Sequence, residues 1–235
     1  VTDANGSPIT GRWIYVYPSS FDYAYAAAVT DASGIFVATS LPADTYYLST
    51  DTSEQYVPQF YGTTCPIWRC TFRDGTPVPV AAGQSVTGIN FTLRTGGSVA
   101  GQLLDAATGV PVPTDTSADA RLYDEFGNFV VFDYISAQNP GYQIDRLPPG
   151  KYHLLIRLSF SINYINELGD GRHCPNGCAI TAGTPFEVVE GATTTVNVHL
   201  DRLGRIRGRL IDGTTGQVIN SGSATARVVG GAFTA

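Results

Sequence analysis

The sequence predicts an all-β protein built of tandem sandwich modules. Three observations predict it. Short apolar stretches alternate with a period of two, turn signals punctuate them regularly, and the whole pattern recurs at an offset near 107 residues. A period of that length is too long for one solenoid turn and suits a complete sandwich.

The elements follow in order. Trp13, Tyr15 and Tyr17 alternate with Arg12, Ile14 and Val16, the period of a strand with two unlike faces. Ile35–Ala38, Tyr46–Leu48 and Tyr152–Ile156 are rich in branched and aromatic residues and read as further strands. Ala4-Asn5-Gly6, Asp31–Gly34, Leu147–Gly150 and Glu190-Gly191 are the turns between such segments. No stretch holds a 3.6-residue period over eleven residues, so no long helix is expected. The repeat is carried by Gly96–Gly109 against Leu203–Gly216 and by Ile89–Leu93 against Val196–Leu200. Leu41-Pro42 against Leu147-Pro148, Tyr56 against Tyr164, and Cys65 and Cys70 against Cys174 and Cys178 fall at nearly the same offset.

Composition narrows the function classes. The 235 residues include 26 Gly, 14 Pro and 13 Tyr, and 43% are hydrophobic, enough for real cores. Charged residues make up 14% and the net charge is −6, so the basic footprint of a nucleic-acid binder is absent. No apolar run reaches the 18 or so residues of a membrane span. The chain contains no Met, so it is expected to be a processed product or part of a longer protein, with no signal peptide left.

The motifs resemble a known family. Gly97-x-Val99-x-Gly101-x-Leu103-x-Asp105 and the run Gly141–Tyr152, with its Leu147-Pro148-x-Gly150-x-Tyr152, are similar to the carboxypeptidase regulatory-like domain. That resemblance covers nearly the whole chain. It implies tandem seven-stranded prealbumin-like (Ig-like) β-sandwich domains, the fold shared with transthyretin and similar to collagen-adhesin B-type repeats. Asp44 stands where the family pattern has Gly, and Asp tolerates a left-handed backbone better than most residues. The zinc peptidase domain that accompanies the family is not found here, nor is the C-terminal Tyr-Arg-Gly-Ser of the transthyretin-like hydrolases. The Lys–Asn crosslink of some adhesin repeats needs lysines, and Lys151 is the only one.

The expected boundaries are 1–95 for a first repeat lacking its opening strand, 96–202 for a second, and 203–235 for the start of a third. The spacing Leu93–Gly97 leaves no flexible linker. The two ends are complementary: Arg205, Ile206, Arg207, Gly208, Arg209, Leu210 and Ile211 form the kind of strand that the first repeat lacks. Either a longer array has been cut, or this segment is a junction or donor strand for another copy, which would build an open filament.

Candidate chemistry is sparse. Cys65–Cys70 and Cys174–Cys178 are paired within each repeat, which points to one local disulfide per module in an oxidising compartment. Each small ring would contribute about 2 kcal/mol by loop entropy. The spacings of four and three fit a redox Cys-x-x-Cys poorly, and His173 beside Cys174 is too little for zinc. Asp3, Asp31, Asp105 and Asp212 sit at turns, where carboxylates cap their own backbone or bind calcium. Tyr56, Phe60, Tyr61 and Trp68 surround the first cysteine loop and read as partner or ligand contacts, stacking on sugar rings or burying against protein, or else as core. Tyr15, Tyr17, Phe21, Tyr23 and Tyr25 form a second aromatic group, the strand tyrosines fitting the core. No nucleophile elbow, metalloprotease helix or phosphate loop is present, and no catalytic residue, metal or cofactor is expected.

These features lead to a non-enzymatic structural or adhesive repeat protein, extracellular or on a cell surface. Its partners are further copies head to tail, or other surface proteins. The alternative is a carbohydrate-binding or targeting region of a larger secreted enzyme, with polysaccharide as partner.

Overall fold

The structure, a computed structural model, describes residues 1–52, 55–63, 70–113, 117–136, 139, 141–159, 163–175 and 177–219. Strands dominate, with two single-turn 3-10 helices at Phe72–Asp74 and Ile180–Ala182.

Among the described residues the N-terminal half has six strands: β1 (Thr2–Asp3), β2 (Trp13–Pro18), β3 (Ala26–Val29), β4 (Asp44–Thr50), β5 (Val78–Val80) and β6 (Thr92–Leu93). Four of them form an antiparallel sheet in the order β3-β2-β4-β5, and β1 pairs with β6 in parallel. Alternation along β2 turns Ile14 and Val16 inward, where they meet Ile9, Tyr46, Leu48, Val78, Phe91 and Leu93 in one apolar core. Trp13, Tyr15 and Tyr17 lie on the opposite face, so the strand tyrosines are not core. Tyr17 stacks on Phe72 with ring centroids 4.8 Å apart.

Among the described residues the C-terminal half has nine strands: β7 (Gly97–Asp105), β8 (Ala118–Asp124), β9 (Phe129–Ile135), β10 (Gly141–Leu147), β11 (Gly150–Leu158), β12 (Glu167–Leu168), β13 (Phe186–Val188), β14 (Thr193–Thr195) and β15 (Val198–Leu200). They make two sheets. One runs β10-β7-β14 with β15 also on β7, and the other runs β12-β11-β8-β9 with β13 also on β11. Val99, Leu103, Ile144 and Leu200 from the first sheet close on Ala120, Leu122, Leu154 and Ile156 from the second. This is a β-sandwich core. Strand β11 is buried on both faces, because Leu155 packs under the loop carrying Leu168, Cys174 and Ile180. The side-chain alternation of an open sheet is therefore lost there.

The halves echo one another beyond sequence. Tyr46 Oη donates to Pro42 O and Tyr152 Oη donates to Pro148 O, both at 2.8 Å. Two expectations need correcting. The left-handed residue of the Leu-Pro turn is neither Asp44 nor Gly150; it is Ser40 in the first half and Arg146 in the second, with φ of 60° and 62°. Asp44 already belongs to β4. And Ile35–Ala38, expected as a strand, forms none. Its counterpart β10 is a strand because β7 pairs with it, Tyr142 opposite Gly101 and Ile144 opposite Val99. No strand lies beside Ile35–Ala38 among the described residues.

Candidate interaction site

In the second sandwich β7 is a central strand. It runs antiparallel to β10 on one side and parallel to β14 and β15 on the other. In the first half β1 holds the place of the end of that strand. Asp3 pairs with Leu93 as Asp105 pairs with Leu200. Ile9 N donates to Val1 O as Val112 N donates to Leu103 O. Val1, Thr2 and Asp3 thus hold the places of Leu103, Leu104 and Asp105. The segments matching β10 and β14, Ile35–Ala38 and 86–88, form no strand. Phe36, Ala38 and Ile89 pack on the first core. Ile35 is 59% and Val37 71% exposed.

The tail is the second component. Residues Gly204–Arg209 are exposed and form no strand, and Ile206 is 91% exposed. Just beyond, Ile211 bridges to Val218. Arg205 reaches back to the Asn163 side chain. The turns that follow each copy of this strand are built alike. One carboxylate oxygen of Asp3 accepts from the N–H groups of Asn5 and Ser7, of Asp105 from Ala107 and Thr108, and of Asp212 from Thr214 and Thr215. These are Asx turns that satisfy their own backbone.

The halves meet over a short, bonded junction. Gly96 N donates to Gln55 O at 2.7 Å, Val57 N to Arg94 O at 2.9 Å, and Arg94 pairs with Glu190 at 2.9 Å. A cleft of about 600 Å³ opens there, lined among others by Gln55, Gly97, Asp145 and Arg146. Its charged lining groups are Asp145 and Arg146, with the hydroxyls of Thr95 and Ser98 beside them.

The cysteines are accounted for. Cys174 and Cys178 are joined, with Cα atoms 5.3 Å apart. Cys70 is disulfide-bonded as well, while Cys65 lies outside the described residues. Trp68 also lies outside them. The other three aromatics of that group sit with the core. Phe60 is buried at 9%, Tyr61 meets Phe91 edge-on at 5.8 Å, and Tyr56 lies under the Arg12 guanidinium at 5.1 Å. Among the described residues the exposed aromatics are Trp13 on β2, Phe21, Tyr23 and Tyr25 after it, Phe126 in the turn before β9, and Phe129, Phe132 and Tyr134 along β9.

Two charged groups escaped the reading of the sequence. Asp105 is buried and accepts from Tyr164 Oη at 2.9 Å and Arg202 Nε at 2.5 Å. The Arg202 guanidinium first, then Tyr164 and Thr108, hold its carboxyl well below the usual carboxylate range. Tyr164 and Asp105 are both repeat anchors, the one signal that was available. The second group is Glu167, His173 and Asp201, whose donor atoms lie within 4.8 Å of one another. His173 Nε2 is 2.8 Å from Asp201 Oδ2 and 3.8 Å from Glu167 Oε1, which accepts from Asp201 N at 2.6 Å.

Burial pushes the Glu167 carboxyl above the ordinary glutamate range. Its folded value then exceeds its unfolded one. Glu167 contributes stability in full below the ordinary range, and that contribution is lost as pH rises through the raised folded value. Glu167→Gln keeps the acceptor for Asp201 N and cannot ionise. Urea midpoints between about pH 4 and about pH 8 are expected to agree at the acid end, with the variant more stable at the neutral end. A difference that does not vary with pH would refute this role.

No protein-family model matches the chain, so the carboxypeptidase regulatory-like resemblance rests on its motifs alone. No curated protein matches it either. Among solved structures it is similar to the Bacillus anthracis TIE protein, at 16% identity and TM-score 0.36, covering 86% of this chain and 33% of that one. It is similar to the minor pilin GBS52 of Streptococcus agalactiae, at 13% identity and TM-score 0.37, covering 86% and 87%. A streptococcal ancillary pilin matches at 15% identity and TM-score 0.37, covering 87% of this chain and 61% of that one. The chain spans about a third of the length of the first of these proteins. At such scores the likeness says nothing of function.

Proposed function

We propose that this chain is a non-enzymatic structural or adhesive segment of an extracellular or cell-surface array, in which copies join head to tail by β-strand addition. In this reading residues 1–95 and 96–202 are its modules and 203–235 open a third. One observation carries it: Gly204–Arg209, which matches the opening strand β7 of the second half in sequence, is exposed and forms no strand. The disulfide Cys174–Cys178 suits an oxidising, extracellular setting. The bonded junction at Arg94–Gly97 suits a load-bearing array. Removing residues 203–235 is expected to abolish self-association, read by light scattering and negative-stain microscopy. Association that survives the deletion would reject head-to-tail joining through the tail.

A second reading, carbohydrate binding, has its support in the exposed rings of Phe129, Phe132 and Tyr134 on β9. Retention on insoluble polysaccharide that is lost on Phe132→Ala would favour it.

A further inference from the structure

We infer that Glu167, His173 and Asp201 form a binding site for a divalent metal ion, Zn(II), in the second module. Their three donor atoms lie within 4.8 Å of one another. His173 Nε2 is 2.8 Å from Asp201 Oδ2 and 3.8 Å from Glu167 Oε1. Zinc bonds nitrogen and oxygen at about 2.0–2.2 Å, which sets tetrahedral neighbours about 3.4 Å apart. The two observed separations straddle that figure, so small side-chain rotations suffice.

The backbone brings the three together. Glu167 opens β12 and bridges to His173 across a tight hairpin, so both side chains lie on one face. Leu168 N donates to Arg172 O at 2.9 Å and Cys174 N donates to Asn166 O at 2.6 Å, closing the hairpin on either side of that bridge. Gly171, at a φ of 85°, makes its turn. The disulfide to Cys178 anchors Cys174, the residue after His173. Asp201 follows β15 and is tied to the same segment. Its N–H donates to Glu167 Oε1 at 2.6 Å, and its C=O accepts from Ile165 N at 3.1 Å. Donors held in this way are placed before an ion arrives.

A second observation points to a ligand independently of the clustering. The Glu167 side chain is 0% exposed, and its Oε2 has no hydrogen-bond partner. A buried carboxylate oxygen left bare is costly, and folded proteins satisfy such atoms with water or a cation. Two carboxylates and a neutral imidazole carry two negative charges, which one divalent ion cancels.

The donor set also selects the ion. Calcium and magnesium take oxygen ligands, whereas an imidazole nitrogen suits zinc. Three protein donors leave a fourth position, and His173 and Asp201 are 41% and 54% exposed, so water reaches it. The ion clamps the disulfide-bearing hairpin to the exit of β15. His153, buried in β11, and His199, exposed on β15, belong to no such cluster among the described residues.

The test uses the full chain, stripped with a chelator and kept in non-reducing buffer. Titration calorimetry with Zn(II) is expected to give one ion per chain, and the urea midpoint is expected to rise with Zn(II) concentration. His173→Gln and Asp201→Asn change exposed side chains and leave the fold intact. Each is expected to weaken Zn(II) binding at least about tenfold and to abolish the rise in midpoint. Without zinc Glu167→Gln is the more stable at neutral pH, and its advantage over wild type shrinks as Zn(II) is added. His199→Gln binds as wild type does. In imidazole nitrogen spectra the His173 signals move on adding Zn(II), while those of His153 and His199 stay. No binding by wild type, binding that survives His173→Gln, or Ca(II) bound as tightly as Zn(II) would each overturn the site.

Discussion

Asp51→Ala is expected to cost the first module about 3–5 kcal/mol, a large share of the roughly 5–15 kcal/mol that holds a typical domain together. Asp51 Oδ1 lies 2.6 Å from Arg12 Nη1, and the two side chains are 6% and 1% exposed. The pair sits where β2 begins, with the Arg12 N–H on Thr30 Oγ1 and the guanidinium over the Tyr56 ring. Removing the carboxylate takes away the charge partner at 2.6 Å from a buried guanidinium that stays protonated. Removing both charges is a different matter. An Arg12→Met, Asp51→Leu double variant should recover most of the loss, because apolar replacements avoid the desolvation of two ions. Urea unfolding checks both, and a cost below about 1 kcal/mol for Asp51→Ala would mean that the pair is effectively solvated.

Gly101→Ala is the second large effect. The strand there has no left-handed turn to make; the glycine serves close approach. An added Cβ would lie 1.9 Å from Val196 O and 2.8 Å from Tyr142 Oη. One obstacle is backbone and cannot swing aside. Tyr142 Oη itself donates to Val196 O at 2.5 Å, so moving either group also breaks that bond. Strand β7 must then part from the segment between β14 and β15, and the expected cost is about 3 kcal/mol, at the upper end for overpacking. A shift in the denaturation midpoint of the second module measures it. Gly109→Ala makes a useful contrast: its site is spatially open and its cost comes only from the left-handed φ of 69°.

Much of this was legible in the sequence. The offset near 107 located matching strands, and the Asx turns followed from Asp at each turn. The buried charges were not legible. Arg12 occupies an inward position of a period-two strand, where pattern alone assigns it no partner; Asp51 lies 39 residues away. Tyr15 and Tyr17 misled because aromatic content suggests core, whereas the inward places went to Ile14 and Val16. Ile35–Ala38 has a strand's composition without a strand's neighbour, and a strand exists only by pairing. The left-handed Ser40 and Arg146 carry no glycine to announce them.

The second sandwich enters through β7 and leaves through β15, and these two strands are parallel neighbours, Val198 beside Leu103 and Leu200 beside Asp105. Tension pulling the entry and the exit apart drags them past each other lengthwise. Every rung between them then bears the force together, in shear, rather than one after another as in a zip.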